Sequence, residues 1–270
     1  MKLKCPLCSN GGTEIFSTII LGKYNVKYYQ CENCALVYTE TPYWLKEAYN
    51  SALADTDTGV MTRNVINAIK VSAIIDTCFT TCINFLDYGG GYGFFPRLMR
   101  DHGYDYKWYD LYAEPLVMKG FEWDKETKVQ CLTSFEVFEH YDKPMDEIEK
   151  LASITDNIIF STVCYDAERK WKEPSWWYYS QESGQHISIY SEYTLRYVAQ
   201  QLGMNYYKLL DLYIFSKHKI PWYKAMLARI EYYSKWSHLK WISRLNFKNS
   251  SKDMNLLKKS IREKHEKNVV

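Results

Sequence analysis

The sequence lacks a membrane-spanning run, a secretion signal and a strong charge of either sign. No apolar stretch approaches the ~20 residues a helix needs to cross a bilayer. The start, Met1-Lys2-Leu3-Lys4-Cys5, has none of the apolar core of a signal peptide, so a soluble, cytoplasmic protein is expected. Thirty-four Lys and Arg against 32 Asp and Glu leave a net charge of +2, which by itself implies neither nucleic acid nor a membrane as partner. Glycine is scarce at 12 residues in 270, yet Gly89, Gly90, Gly91 and Gly93 fall almost together. Hydrophobic residues make up 47%, enough for one substantial core and a small satellite unit. Aromatics are abundant at 17%, with 25 tyrosines, which suits a cleft with polar-tipped walls as well as plain packing.

The glycine cluster ends a short apolar run, Asn84-Phe85-Leu86-Asp87-Tyr88, and precedes Phe94 to Arg100 at helical spacing. That order predicts a strand, a tight loop and a helix. Glycines let backbone approach a ligand closely, and the next helix's first N–H groups are free to meet it, so the stretch reads as the floor of a nucleotide-type site. A purely structural turn is the competing reading.

Of eight cysteines, Cys78, Cys82, Cys131 and Cys164 lie in apolar contexts and read as buried thiols. The other four form Cys5-Pro6-Leu7-Cys8 and Cys31-Glu32-Asn33-Cys34, two Cys-x-x-Cys pairs 22 residues apart. Two such knuckles supply the four sulfurs of a structural zinc site; paired disulfides or a redox dithiol are the alternatives. Strands over Glu14–Leu21 and Tyr24–Gln30 around Gly22 make the unit a zinc ribbon. Its few basic residues, Lys2, Lys4, Lys23 and Lys27, favour a structural or substrate-covering role over RNA binding.

A connector, Thr39 to Asp57, carries the aromatic patch Tyr43 to Tyr49, which either covers a site or docks the ribbon. A helix is expected over Val60–Thr77. Past the glycine loop, Tyr104 to Asp110 predicts a second strand whose terminal Asp110 lies 23 positions after Asp87, where a doubly wound sheet places an acceptor for ribose hydroxyls. Val129 to Phe135 predicts another buried strand, Met145 to Ser153 a helix, and Asn157 to Thr162 a further strand. Ser191-Glu192 starts a helix that stops at Gly203, and Tyr206 to Lys217 reads as the last strand. From Lys235 onward ten Lys or Arg face three Asp or Glu. This is read as a solvated tail, or as weak attachment to an anionic membrane surface or a complex.

Asp87-Tyr88-Gly89-Gly90-Gly91-Tyr92-Gly93 has the D-x-G-x-G-x-G form, and Glu136-Val137-Phe138-Glu139-His140-Tyr141-Asp142-Lys143-Pro144 resembles the E-V-x-E-H-x-x-x-P segment, of class I S-adenosylmethionine-dependent methyltransferases. The preceding ribbon, and Gly184-Gln185-His186-Ile187-Ser188-Ile189-Tyr190-Ser191, are similar to a subgroup that includes nucleotide-sugar C-methyltransferases. The resemblance covers roughly residues 5 to 205. It implies S-adenosylmethionine as donor, bordered by Asp87, Gly89, Gly90, Gly91, Gly93, Asp110, Ser134 and Glu136, and a small-molecule or nucleotide-linked sugar acceptor in a polysaccharide pathway. Gln130 stands where relatives usually have Asp, at a position peripheral to the donor. Gln185 stands where C-methyltransferases are usually acidic, and a neutral neighbour does not raise the basicity of His186.

The expected architecture is therefore an α/β, Rossmann-like doubly wound sheet over 41–218, a zinc ribbon over 1–40 with Cys5, Cys8, Cys31 and Cys34 as ligands, and a basic, aromatic helical extension over 219–270. Methyl transfer to a hydroxyl needs a proton acceptor, for which His186 is the first candidate and His140 the second. C-methylation of a nucleotide-linked ketosugar and a zinc-ribbon RNA-binding protein are the rival readings.

Overall fold

A computed structural model describes residues 3–49, 57–167 and 171–243, and singly Asn255, Lys258, Lys259 and Glu263. The chain opens with four antiparallel strands, β1 (Leu3–Lys4), β2 (Gly11–Ile20), β3 (Tyr24–Cys31) and β4 (Val37–Thr39). A short helix α1 (Leu45–Ala48) and a long helix α2 (Val60–Cys78) then lead to β5 (Asn84–Tyr88), α3 (Phe94–Asp101) and β6 (Asp105–Tyr109). Next come β7 (Cys131–Phe135), α4 (Pro144–Ile154), β8 (Asn157–Ser161), the two-residue β9 (Ser188–Ile189) and α5 (Glu192–Gln201). The strands β10 (Asn205–Leu209) and β11 (Leu212–Ser216) and the helix α6 (Trp222–Ser243) follow.

Six strands form a mixed sheet in the order β10-β11-β8-β7-β5-β6, with β8, β7, β5 and β6 parallel and β11 antiparallel to both neighbours. Side chains alternate across it, as strand geometry requires. Phe85, Cys131, Ile159 and Ile214 enter one core with α2 and α3. Leu86, Leu132, Ile158 and Phe215 enter the other with α4 and α5. The α/β doubly wound expectation holds.

The segment expected as one last strand is a hairpin. Leu210 and Asp211 both take positive φ, 54° and 58°, and reverse the chain between β10 and β11. Tight hairpin turns of this hand normally use Asn or Gly, and this one has neither, so the run reads as continuous. The helix α6 lays Ala228 into the α2 core. Its basic continuation lies outside the described residues, apart from the four named above. Among described residues no helix is long and apolar enough to cross a membrane.

The small sheet does not end with the ribbon. β4 pairs with β9, Val37 opposite Ile189 and Tyr38 opposite Ser188, so a strand from beyond β8 completes it. Cys5, Leu7, Cys34 and Leu36 share one continuous core with Leu132 and Phe160 of the main sheet. Trp44, 1% exposed, donates its indole N–H to the Gly184 carbonyl at 2.8 Å, so the aromatic connector docks the ribbon. Replacing the fully buried Leu36 by Ala is therefore expected to lower stability by about 2–5 kcal/mol in one cooperative transition. Denaturant unfolding followed by far-ultraviolet circular dichroism checks this, and a separate early transition of the ribbon alone would contradict it.

Candidate active site

Beyond β5 the chain turns to one side, to β6, while β7 lies on the other side of β5. This switch of direction leaves a crevice at the carboxyl ends of the strands. The glycine loop lies along its floor. The N–H groups of Gly89 and Gly90 both point to the Tyr109 carbonyl, at 2.8 and 3.2 Å. Gly89 has φ +74°, and a Cβ there would meet Val137 Cγ2 at 2.7 Å. A Cβ on Gly90 would meet Asp87 Oδ2 and Trp108 at 2.7 Å, whereas beyond Gly91 there is open space. Glycine is thus required by close packing at the first two positions, and Gly91 presents bare backbone to the cleft.

Asp87 is 3% exposed and its carboxylate accepts a bond from the Thr133 hydroxyl at 2.7 Å. Burial, opposed by that bond and aided by the Asp110 charge, pushes it up to about 7. Asp110 accepts the Gly91 N–H on Oδ2 at 2.8 Å, and the Tyr112 and Ala113 N–H groups on Oδ1 at 2.7 and 2.9 Å. It ties the glycine loop to the turn after β6 and keeps an edge toward the cleft.

The opposite wall begins where β7 ends. Glu136 adopts φ +53°, its Oε1 accepts from the Ser161 hydroxyl at 2.5 Å, and its N–H meets the Ser161 carbonyl at 3.1 Å. A single turn of 3₁₀ helix, Phe138–His140, carries Glu139 inward and His140 to the cleft. His186 arrives from the segment before β9, its ring 5.1 Å from that of His140. The His186 Nδ1 lies 2.6 Å from the Tyr178 carbonyl, an acceptor only, so Nδ1 carries the proton and Nε2 a lone pair. Burial lowers His186 to about 4, partly countered by that carbonyl bond, and lowers His140 to about 3 with a smaller push from His186. Both rings are neutral at physiological pH.

One cavity of about 610 Å³ joins these walls. Asp87, Gly89, Gly90, Gly91, Asp110, Glu136, His140 and His186 all line it. Ser134 and Gly93 do not. Ser134 is fully buried, and a Cβ on Gly93 would run into Met118. Sequence reasoning missed Arg63 and Asn67, which reach the cavity from α2, Arg63 held by Asp57 through two bonds of 2.6 Å. The available signal was polar residues on an otherwise apolar helix. It also left Tyr49 undecided. The Tyr49 ring stacks on Tyr112 at 4.9 Å, and its hydroxyl meets His140 Nδ1 at 3.1 Å, so the aromatic connector covers the mouth as well.

Away from the cleft, the Sγ atoms of Cys5, Cys8, Cys31 and Cys34 lie within 4.8 Å of one another. Cys5 and Cys34 are 3.6 Å apart, Cys8 and Cys31 3.4 Å. Such separations are too long for a disulfide and near the ~3.8 Å edge of a tetrahedron with Zn–S bonds of about 2.3 Å. The knuckles repeat each other: Ser9 and Ala35, each just after a second cysteine, take φ 61° and 59°. The Asn33 and Cys34 N–H groups point to Cys31 Sγ. The donor set fits zinc.

Residues 61–209, more than half the chain, match the family model described as a methyltransferase domain. The chain belongs to this methyltransferase family. Its enzyme class is accordingly S-adenosylmethionine-dependent methyl transfer. No curated protein matches the chain in sequence. Among solved structures it is similar to an O-methyltransferase family protein from Burkholderia thailandensis, at 11% identity and TM-score 0.42, over 64% of this chain and 66% of that one. It is similar too to magnesium protoporphyrin IX methyltransferase from Synechocystis PCC 6803, at 14% and 0.40, over 63% and 87%. WbdD matches at 17% and 0.39, over 66% of this chain and 43% of that one. Likenesses this distant carry no argument about the acceptor.

Gly89→Ala and Gly120→Ala separate strain from packing, since both positions have positive φ but only Gly89 has a neighbour in the way. Each is expected to cost about 1–2 kcal/mol of stability for the left-handed backbone. Only Gly89→Ala is expected to weaken S-adenosylhomocysteine binding, at least tenfold by calorimetry; equal affinities would contradict this account of the loop.

Proposed function

We propose that this methyltransferase moves the methyl group of S-adenosylmethionine to a hydroxyl of a sugar-like small molecule, as a step in surface polysaccharide synthesis. The observation that carries the reading is the single cavity that joins the glycine loop to His140 and His186. A donor resting on Asp87 to Gly91, with its ribose toward Asp110, directs its far end to the histidine corner. The acceptor oxygen attacks the methyl carbon, the carbon–sulfur bond breaks with its electron pair left on sulfur, and the hydroxyl proton leaves through that corner. Alignment of oxygen, carbon and sulfur supplies most of the acceleration, and removal of the proton the rest.

Several features support a polar, sugar-like acceptor. Tyr49, Tyr88, Tyr112 and Trp177 line the cavity with flat apolar faces that end in hydroxyl or N–H groups. Gln185, whose Nε2 donates to the Ala48 carbonyl at 2.7 Å, is neutral and does not raise the basicity of His186 as a carboxylate would, which favours O- over C-methylation. The Cys5, Cys8, Cys31 and Cys34 set is assigned to a structural zinc, its four positions filled by protein. The outer face of α6, with Trp222, Met226, Ile230 and Tyr233 exposed near Arg229, supports weak attachment to an anionic membrane surface.

Mass spectrometry of nucleotide-linked sugars incubated with the enzyme and donor tests the reading: one added methyl group, stable to base as an ether, is expected. With an accepted substrate, His186→Asn is expected to keep S-adenosylhomocysteine affinity and lose about a hundredfold or more in kcat. In the protein before any metal is added, the His186 ring is expected to stay neutral as pH falls past 6 and to protonate only near about 4, read from its ring-proton chemical shifts. A midpoint near the ordinary histidine value of about 6.5 would contradict this environment.

A further inference from the structure

The histidine corner contains a third group that methyl transfer, as described above, leaves without a task. Glu139 is 0% exposed, and neither carboxyl oxygen has a hydrogen-bond partner among the described residues. Tyr178 and Thr162 lie nearby, but their hydroxyls bond to each other at 3.0 Å and the Tyr178 O–H also faces Glu136 Oε2 at 3.5 Å; burial, and then the Glu136 charge, hold the Glu139 carboxyl well above its ordinary range. An isolated buried carboxylate is costly unless a cation or a donor meets it. One ligand atom from each of Glu139, His140 and His186 lies within 4.8 Å of the others.

The outer partners of both imidazoles suit coordination. His186 donates Nδ1–H to the Tyr178 carbonyl, which leaves Nε2 as the ligand atom. His140 Nδ1 has the Tyr49 hydroxyl at 3.1 Å, and in the tautomer that donates to it Nε2 is likewise a ligand. A ring N–H held by a carbonyl or hydroxyl is how ligating histidines are usually oriented. The Glu139 carbonyl accepts the Ile187 N–H at 2.9 Å, so the segments bearing the three side chains are fixed to each other by backbone. The Glu136 carboxylate adds negative charge at the same end of β7.

We propose that Glu139, His140 and His186 bind a divalent transition-metal ion, distinct from the cysteine-held zinc, that receives an oxygen of the acceptor. Two imidazoles and one carboxylate suit zinc, manganese or iron(II), whereas magnesium and calcium favour all-oxygen sites. Glu139 is buried behind the cavity wall and the two rings line it, so an oxygen ligand would reach such an ion from the cleft. An acceptor with neighbouring hydroxyls, as in a sugar, binds there through oxygen. The inference rests on the methyl-transfer reading for the acceptor but not for the ion itself.

Cobalt(II) is the probe, added to the full-length protein with zinc already in the ribbon. The expected result is uptake of one cobalt per chain with weak visible bands, no sulfur-to-cobalt charge transfer, and large shifts of the His140 and His186 ring protons. Glu139→Gln is expected to abolish the uptake while S-adenosylhomocysteine still binds. No uptake by the wild-type protein overturns the proposal, as does charge transfer from sulfur alone, or uptake equal in Glu139→Gln; the wild-type arm decides even where the variant does not fold. Absence of S-adenosylhomocysteine binding in the wild-type protein would instead refute the methyl-transfer reading, whatever cobalt does.

Discussion

The site depends on the backbone of one residue, Ile187. Its N–H donates to the Glu139 carbonyl at 2.9 Å, and its own carbonyl accepts the Thr39 N–H at 3.1 Å. The first bond fixes the segment to the turn after β7, and the second fixes it to the ribbon. His186 is the next residue upstream, so the same two bonds hold its ring against His140. The side chain of Ile187, 2% exposed, adds apolar burial to this join. The ribbon is thus fixed to the cleft wall that carries His140 and His186.

The two halves of the cleft are built from different materials. The glycine-loop half is backbone held by backbone and by the Asp110 carboxylate, with glycines where a Cβ would collide. The histidine half is made of side chains from elements far apart in sequence: α1, α2, the turn after β7 and the segment before β9. Burial keeps its histidines neutral and leaves Glu139 unpartnered. Low dielectric strengthens every interaction with whatever enters there.

Where the signal was local, the sequence was readable. Asn84 to Gly93 encodes strand and loop in ten residues, with the helix following at Phe94, and the two cysteine pairs announce their own geometry. Ser191 starts α5 as read, with a capping box completed by Thr194. Glu136 and His140 lie four residues apart at one strand end, and they do line the same cavity. Illegible were the features that depend on distant partners. Nothing local marks Ser188 and Ile189 as a strand, because their only ladder among the described residues is to β4. Arg63 and Tyr49 become cleft residues through the packing of α2 and the connector. The β10–β11 turn escaped because its positive φ values fall on Leu and Asp.

The central claim is that one cleft brings the donor on the glycine loop to the corner where Ile187 has fixed His186. A crystal structure of the full-length protein with S-adenosylhomocysteine tests it most directly. The account predicts the amino-acid end of the ligand on Gly89 to Gly91, the ribose at Asp110, and the sulfur facing His140 and His186. A ligand bound with its sulfur turned away from those histidines, or outside this cavity, would contradict it.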